Sequence, residues 1–448
     1  MTFLIRAIKR SLVLGALIIS MSGCDKEEII SVQLPDDFSR AYTRSGIIKS
    51  QMAEDGYYLL FEELSPLLKS PGLRYLIKSD FMGGTVMRLE GDPNLTLIDF
   101  VVSDDGVYTL YSGREGIEVR KHNRSGGHQV TRKIWINHNN DSYATDDRGR
   151  LVVYNKSVLV AIRPEDYSTR LYALNTDDLD IKWSTLVEPG QSITGYGMTG
   201  GSYDTFEQLA HPYIVFVDVD ERGNAYVSVP ALFGSSVYHH NRHFGENLAH
   251  VGESFVSAGF ETDALVTKIS PEGERLYTVV AGTADPDECY GIKVENGSFY
   301  LYGRTAKPAS TSGYQWDAYV AKFNSDDGNA TFRKSFDVNQ SEIIYDLAET
   351  ESGELLVVGS TGWSQNPLGY SVSGTACKLL VHLDAFGDVK REIELTPGQR
   401  HNQIRTIQYH DERIWLGGWE NGPGTHTGDT NPNLVFADGF WLSQEFQE

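Results

Sequence analysis

Four histidines lie close together in the stretch VYHHNRHFGENLAH, residues 237–250. Imidazole nitrogens are common zinc ligands, and two histidines four positions apart on a helix can share one ion. The stretch carries no HExxH pattern, so the metalloprotease arrangement is absent. A solvated polar loop with clustered histidines explains the same letters equally simply. The sequence therefore gives a candidate metal site only, formed by His239, His240, His243 and His250.

Aromatic residues set among glycines and small polar residues form a second group of candidates. They occur in four stretches: GYGMTGGSYDTF (195–206), TSGYQWD (311–317), TGWSQNPLGY (361–370) and WENGPGTHTGDTNPN (419–433). An aromatic face beside amide side chains suits a sugar ring or a peptide side chain, because the ring gives apolar contact while the amides fix orientation. Alternatively, the tryptophans pack beneath their own loops. The candidate ligand-binding residues are Tyr196, Tyr203, Trp316, Trp363 and Trp419.

Motifs of known catalytic chemistry are absent from the chain. It has no GxSxG elbow, no EF-hand loop and no phosphate-binding loop followed by lysine. Cys377 opens a predicted strand and Cys289 precedes one, which does not favour a catalytic thiol. Whether these two cysteines pair stays open. We predict no catalytic residue and no cofactor.

The amino terminus has the pattern of a secretory signal. Basic residues in MTFLIRAIKR precede the apolar stretch SLVLGALIISMSG, which is too short for a stable membrane span. The junction Met21-Ser22-Gly23-Cys24 resembles the bacterial lipobox, which implies that Cys24 is lipidated and becomes the mature amino terminus. Acyl chains would then hold the protein to a membrane of the cell envelope. Asp25 resembles an inner-membrane retention signal, whereas the following Lys-Glu-Glu resembles a surface-export tag, so the membrane face stays open.

Charge restricts the partners of the chain. The formal net charge is −22, and removing residues 1–23 takes away three positive charges, giving −25. Such a surface repels phosphate backbones, so we expect no nucleic acid as a partner. Membrane contact is expected only through the lipid.

The candidate residues lie between segments that repeat along the chain. Alternating apolar residues on both sides of an Asp, Asn or Gly turn predict antiparallel hairpins, with turn centres near residues 56, 106, 156, 223, 297, 353 and 412. A second hairpin follows each of these, as in DALVTKISPEGERLYTVVAG (263–282). Seven four-stranded units predict an all-β fold, a seven-bladed β-propeller. The last unit lacks its outer strand, and EIISVQL (28–34) is predicted to supply it. The predicted divisions are a signal peptide (1–23), a lipidated tether with the closing strand (24–40) and the propeller (41–448).

The blade phrases resemble the seven-bladed propeller repeats of bacterial cell-envelope lipoproteins. DAYVAKFNSDDG, VDERGNAYVSV and ESGELLVVGST carry this resemblance most clearly. It implies the fold but hardly any activity, because propellers host many functions.

The lengths of the connections between strands indicate which face of the propeller is expected to bind a ligand. The turns between strands a and b and between c and d are short, whereas the b–c and d–a connections are long at 187–211, 230–262, 305–316, 361–376 and 419–437. Both long sets leave a propeller on one face, so that face is expected to bind a ligand. Neutral insertion drift is the alternative, since surface insertions cost little stability.

Three functions fit this description. The first is a lipid-anchored envelope module that binds a glycan or protein ligand. The second is an assembly scaffold for outer-membrane proteins, which should expose an apolar patch of several hundred Å². The third is a glycan-active hydrolase or lyase, which should bring polar side chains from several blades together, one with a shifted pKa. Deleting residues 232–258 is expected to leave folding intact.

Overall fold

A computed structural model of the chain contains 29 β-strands and no helix among the residues that it describes, and hence none that could cross a membrane. The described residues are 38–446, apart from 44, 64–72, 82–83, 92–93, 114, 137–148, 164–167, 189–214, 234–247, 252–260, 283–286, 309–313, 338–341, 362–376, 396–400, 411 and 423–437. Cys24 and the predicted signal peptide lie outside them.

The strands form seven sheets, each built on four antiparallel strands. In six sheets these four strands follow chain order, and in the last sheet the outer strand comes from near the amino terminus. We name the sheets blades one to seven in chain order and the strands of each blade a to d from the channel outward. The inner strands pack side by side around the channel, and β27 of blade seven lies beside β2 of blade one. The predicted seven-bladed propeller is therefore confirmed.

Blades one to four contain the first strands. Their bounds are β2 (Ser45–Ala53), β3 (Gly56–Glu63), β4 (Arg74–Ser79) and β5 (Thr85–Glu90); β6 (Leu95–Ser103), β7 (Gly106–Gly113), β8 (Gly116–His122) and β9 (His128–Ile136); β10 (Gly149–Tyr154), β11 (Ser157–Ile162), β12 (Thr169–Asn175) and β13 (Ile181–Glu188); and β14 (Phe216–Val219), β15 (Ala225–Phe233), β17 (Glu261–Ile269) and β18 (Arg275–Ala281).

Blades five to seven complete the ring. Their bounds are β19 (Asp287–Glu295), β20 (Ser298–Pro308), β21 (Tyr314–Asn324) and β22 (Ala330–Phe336); β23 (Ile343–Glu349), β24 (Leu355–Thr361), β25 (Cys377–Leu383) and β26 (Val389–Leu395); and β27 (His401–His410), β28 (Arg413–Gly422), β29 (Asp438–Glu445) and β1 (Phe38–Thr43).

An amino-terminal strand closes the last blade, as predicted, but it is not the predicted segment. β1 pairs with β29 from Phe38↔Ser443 to Thr43↔Asp438. The predicted segment 28–34 lies outside the described residues, and β1 spans the predicted boundary between residues 40 and 41. The closing strand thus joins the two ends of the chain in one sheet, which leaves no blade incomplete.

Blade four has an additional strand, β16 (Leu248–Val251), which pairs in parallel with β18 at the outer edge. In the same blade, Leu232 and Phe233 pair with Thr262 and Glu261. The segment 232–258 is therefore not wholly outside the strand ladder, and its deletion would remove pairs from blade four. The premise of the expected neutral deletion, that this segment lies outside the strand ladder, is therefore wrong, and the effect of the deletion on folding stays a prediction.

The apolar core lies between blades rather than in one central mass. Each neighbouring pair of blades encloses its own cluster of buried side chains. Between blades one and two, for example, Tyr58 and Leu60 pack with Phe100 and Tyr111. Packing between blades therefore depends on the alternation of side chains along each strand. Successive side chains point to opposite faces of a blade, so each face packs against one neighbouring blade.

Short turns join strands a to b and c to d, with two or five residues each. The other connections reach 27 residues at 189–215 and 234–260, and 15 residues at 362–376 and 423–437. Because neighbouring strands are antiparallel, all short turns lie at one end of the channel and all other connections at the opposite end. We call these the short-turn end and the long-connection end.

At the short-turn end, side chains tie each blade to the next. In blade four, Tyr226 and Lys268 both donate to the carbonyl of Ser325 in a turn of blade five, at 3.0 and 2.6 Å. The Tyr226 hydroxyl also donates to Asp220, and the Lys268 ammonium lies 5.2 Å from the Tyr226 ring centroid. Lys268 is the lysine of the phrase DALVTKISPEGERLYTVVAG, and its role is therefore to bond one blade to the next. We call this arrangement of tyrosine, lysine and turn acid the clamp.

The clamp recurs with the same geometry in blades one and two. There the lysine ammonium lies 5.4 and 5.6 Å from the tyrosine ring centroid and contacts the acid at 2.5 and 3.2 Å. The lysine donates to a turn carbonyl of the next blade at 3.4 and 2.9 Å. These clamps consist of Asp55, Tyr58 and Lys78 in blade one and Asp105, Tyr108 and Lys121 in blade two.

Candidate functional site

Three inner strands carry a β-bulge near the long-connection end. The registers of β19 and β23 shift around the unpaired residues Tyr290 and Tyr345, and the register of β27 shifts around Arg405 and also around Asn402. A bulge re-aims the extra residue and bends the strand. Blades five, six and seven therefore place the half-buried side chains of Tyr290, Tyr345 and Arg405 at equivalent positions of neighbouring inner strands.

Glycine on strand b makes each of these bulges possible. A Cβ atom would lie 1.9 Å from the Glu288 carbonyl oxygen at Gly303, 1.8 Å from that of Ile343 at Gly359, and 2.0 Å from that of Gln403 at Gly418. Real Cβ contacts are never this short, so no larger residue fits at these three positions unless the backbone shifts. Gly359 of the phrase ESGELLVVGST thus has a defined structural role, which Gly303 and Gly418 share in their own blades.

Blades one and two have bulges at the same position but different residues. Their extra residues are Ile48 and Ile98, and Phe61 and Tyr111 stand where blades five to seven have glycine. Ile48 and Ile98 both pack with the apolar clusters between blades. The polar and aromatic bulge residues are thus a feature of one side of the ring, which singles out blades five to seven.

The bulge residues belong to a cluster of aromatic and charged side chains. The Arg405 guanidinium carbon lies 3.8 Å from the Tyr345 ring centroid and 5.4 Å from the Trp419 ring centroid. The rings of Tyr290 and Tyr345 meet edge to face at 5.7 Å. We call the whole group the mouth cluster; it comprises Glu288, Tyr290, Arg304, Trp316, Tyr345, Arg405 and Trp419.

The two arginines of the mouth cluster differ in their partners. Arg304 is buried and forms an ion pair with Glu288, with nitrogen–oxygen distances of 2.7 and 2.8 Å. Its guanidinium also stacks 4.2 Å from the Trp316 ring centroid, and the Tyr290 hydroxyl donates to the same Glu288 oxygen at 2.8 Å. Burial works against the charge of Arg304, but the Glu288 carboxylate outweighs it and raises the pKa of Arg304. Arg304 therefore already has an anionic partner within the protein.

Arg405 has aromatic neighbours and no carboxylate partner. Within the part of the chain that the structure describes, no acceptor lies within hydrogen-bonding distance of its guanidinium, nor of the Tyr345 hydroxyl. A guanidinium offers five N–H donors in one plane. The mouth cluster thus contains spare donor capacity beside flat aromatic rings.

The predicted aromatic candidates have different positions. Trp316 lies on β21 and Trp419 on β28, not in loops, and they are only 3% and 8% exposed. Arg304 covers one face of Trp316, so these two rings support the cluster from within. Tyr196, Tyr203 and Trp363 lie outside the described residues.

The predicted histidine site lies almost wholly outside the described residues, which exclude His239, His240 and His243. The backbone of His250 pairs with Val280 at the edge of blade four. Another group could hold a metal instead: carboxylate oxygens of Asp317, Asp337 and Glu342 lie within 4.8 Å of one another.

Charged side chains also line the channel below the mouth cluster. Lys49 contacts Asp99 at 2.6 Å, and Lys293 interacts with the carboxylates of Asp218 and Asp346. Burial raises the pKa of Asp218 and of Asp346, although Lys293 partly offsets it for both. These residues come from five blades, so they meet the condition set for an enzyme.

The channel carboxylates already have a structural task, however. Asp99 accepts the backbone N–H of Leu151, Asp218 that of Val294 and Asp346 that of Ile407, at 2.9, 2.7 and 3.0 Å. Each bond joins the inner strand of one blade to that of the next. Convergence and shifted pKa values therefore follow from ring closure here, and they do not by themselves indicate catalysis.

The thiol of Cys289, next to the bulge of β19, is free. It lies 3.6 Å from the Ser228 hydroxyl and 3.2 Å from the Gly291 carbonyl oxygen. Burial raises the pKa of Cys289 to about 11, so the thiol stays protonated at neutral pH.

No protein-family model matches the chain, and no curated protein matches it. Solved structures do resemble it. A protein of unknown function from Bacteroides caccae shares 13% identity over 75% of this chain and 93% of its own, with a TM-score of 0.37. The Pan2 WD40 domain of Neurospora crassa shares 11% over 90% and 92%, with a TM-score of 0.47. A europium-containing methanol dehydrogenase shares 9% over 92% and 93%, also at 0.47. At such identities and TM-scores these likenesses say nothing of function, and the fold rests on the sheet topology.

The sequence analysis does not identify the three bulge residues of the mouth cluster, because a bulge leaves no trace in an alternating pattern. Tyr290, Tyr345 and Arg405 sit inside predicted strands, where side-chain direction is read from period two alone. A usable signal existed in Gly303, Gly359 and Gly418, which interrupt strand b at one position in three successive blades. Glycine inside a strand often marks a bulge.

Proposed function

We propose that the chain is a lipid-anchored binding module of the bacterial cell envelope, which binds a glycan at the mouth cluster. The observation that carries this proposal is the set of three bulges, which brings half-buried Tyr290, Tyr345 and Arg405 together at the long-connection end. Aromatic rings beside free polar donors suit sugars, because rings contact the apolar faces and donors fix the hydroxyls. The rigid inner strands pre-organise this surface.

Binding is tested with the full-length chain, purified in detergent, on a glycan array. We expect at least one glycan to bind and to be competed by the same glycan in solution. Tyr345→Ala should lose that binding. Tyr154→Ala serves as the matched control, because Tyr154 is a partly buried tyrosine of an inner strand that contacts the short-turn end. Equal loss in both variants, or no glycan bound, would contradict the proposal.

The membrane anchor is a separate part of the proposal and rests on the resemblance of residues 21–24 to a lipobox. Attachment of lipid to Cys24 would hold the propeller at an envelope membrane, with the channel mouth free to meet a ligand. Cells fed an alkyne-labelled fatty acid should label the wild-type chain but not Cys24→Ser. Labelling of the Cys24→Ser chain would exclude this anchor.

The two alternative functions receive less support. A scaffold needs an extended apolar surface, but the large exposed apolar side chains among the described residues are scattered over several blades, as with Phe81, Ile181, Leu276 and Phe386. A glycan-active enzyme needs carboxylates free to act, whereas Asp99, Asp218 and Asp346 accept bonds that close the ring. Binding is therefore the function that the described site favours.

A further inference from the structure

We infer that the glycan bound at the mouth cluster carries a carboxylate, as a uronic acid does, and that Arg405 receives it. This inference rests on the proposed function and adds the chemical class of the ligand. The juxtaposition that carries it is a guanidinium that has no acceptor among the described residues and lies between aromatic rings at a bulge of an inner strand.

The first support is the difference between the two arginines of the cluster. Arg304 has a carboxylate of the protein, Glu288, at 2.7 Å and a tryptophan ring at 4.2 Å. Arg405 has the ring, Tyr345 at 3.8 Å, but no carboxylate among the described residues. Within the described part of the chain, Arg405 thus shares the aromatic contact of Arg304 but not its carboxylate contact. A planar guanidinium binds a carboxylate with two parallel bonds, which makes it the side chain best suited to supply this specificity.

The second support is the Tyr345 hydroxyl, which also lacks a partner among the described residues. Tyr345 lies directly against Arg405, so both groups can donate to one small anion or to an anion and its neighbouring hydroxyl. The Tyr290 hydroxyl is already bonded to Glu288. Among the described residues, the donors of the cluster that lack an anionic partner beside them thus lie next to each other on Arg405 and Tyr345, as binding of a single carboxylate requires.

The third support is the overall charge, which limits how many carboxylates the ligand carries. A chain with a formal charge of −22 repels polyanions at long range. A single carboxylate on an otherwise neutral sugar meets much less repulsion and still gains the local guanidinium. We therefore expect one uronic acid among neutral sugars rather than a polyuronate.

The test compares two sugars that differ at one position. Calorimetry measures binding of the full-length chain to a disaccharide with one terminal uronic acid and to the same disaccharide with that carboxyl reduced to an alcohol. We expect the acid to bind about ten- to a hundredfold more tightly, since bonds to charged groups are worth more than neutral ones. Arg405→Gln should remove this preference and keep the weaker affinity for the neutral sugar. Arg405→Lys should keep part of it, because the charge stays but the planar fork is lost.

Arg150→Gln is the matched control. Arg150 also lies on an inner strand, in blade three, where its guanidinium carbon is 5.4 Å from the Phe216 ring centroid. Losing this positive charge should leave the preference for the acid unchanged, and the urea midpoint of every variant shows whether it is folded. If both arginine variants lower the preference equally, general electrostatics explains it and the assignment to Arg405 is wrong.

The outcomes separate the inference from the proposed function. Equal affinity of the wild-type chain for the acid and its reduced form overturns the inference but leaves a glycan-binding module. Tighter binding of a peptide with a free carboxyl terminus than of either sugar overturns the glycan class. Absence of binding to every sugar contradicts the proposed function as well.

Discussion

At the short-turn end, tyrosine and lysine side chains of one blade donate hydrogen bonds to a turn of the next blade. At the long-connection end of blades five to seven, the inner strands bulge outward from the ladder and present side chains with unused donors. The polar groups of the short-turn end bond one blade to the next. At the long-connection end, Arg405 and Tyr345 have donors with no acceptor among the described residues. If the proposed function holds, stability and binding depend on opposite ends of the same strands, so substitutions at each end should affect different measurements.

The bulges provide the largest expected effect. Gly359→Ala should lower the free energy of unfolding by roughly 3 kcal/mol or more, since its Cβ would lie 1.8 Å from the Ile343 carbonyl oxygen. Gly297→Ala is the control at the short-turn end, where φ is +70° and no atom lies within 4 Å. Gly297→Ala should lower the free energy of unfolding by only about 1 kcal/mol, because alanine is less favourable than glycine in the left-handed backbone conformation. Urea unfolding measures both, and equal losses would mean that the bulge is not constrained as described.

Removing the lysine of a clamp should have the next largest effect. Lys268→Met keeps the apolar stem but loses the bond to the Ser325 carbonyl, so we expect a loss of roughly 1–3 kcal/mol of unfolding free energy. Lys334→Met is the control, because its ion pair with Asp388 is exposed and worth less than about 1 kcal/mol. Glycan binding should be unchanged in both folded variants. A Lys268→Met chain as stable as Lys334→Met would show that the clamp does not hold the blades together.

Asp218 on an inner strand and Asp55 in the clamp of blade one should change the free energy of unfolding with pH in opposite directions. Burial raises the pKa of Asp218, so its charged form costs stability above the unfolded-state pKa. Asp218→Asn should therefore raise the free energy of unfolding at pH 7, and this gain should vanish as pH falls towards about 4.

Asp55 of the blade-one clamp is the opposite case. Burial opposes its charge, but Lys78 and Arg124 outweigh burial and lower its pKa. Asp55→Asn should therefore lower the free energy of unfolding at pH 7, and that loss should shrink as pH falls below about 4. Urea titrations of both variants from pH 7 to about pH 3.5 measure the two trends, and trends of the same sign would contradict these assignments.

Shortening a connection should affect stability least. Residues 362–376 join Thr361 to Cys377, which pair across β24 and β25. Replacing them with an Asn-Gly turn should change the free energy of unfolding by less than about 1 kcal/mol, since loop length contributes little. A loss of cooperative unfolding would show that the connection is part of the core structure.

The fold could be predicted from sequence because each hairpin repeats the same alternation and turn residues. The closing strand was predicted in principle but placed at 28–34 instead of Phe38–Thr43, because EIISVQL has the stronger apolar alternation while FSRAYT has little. Pairing with β29 depends on where the chain ends meet, which a local pattern does not encode. Among the candidate residues, Trp316 and Trp419 do lie in the mouth cluster, yet as buried supports. Arg405 was missed because its role depends on a bulge and on the lack of a carboxylate beside it.

The most direct test of this division of labour is the affinity of Arg405→Gln and Lys268→Met for a glycan that the wild-type chain binds, measured together with their urea midpoints. For the disaccharide with a terminal uronic acid, we predict that Arg405→Gln keeps the wild-type midpoint and loses affinity, whereas Lys268→Met lowers the midpoint and keeps affinity while folded. Loss of both properties in either variant, or full affinity in Arg405→Gln, would contradict the separation of the two ends.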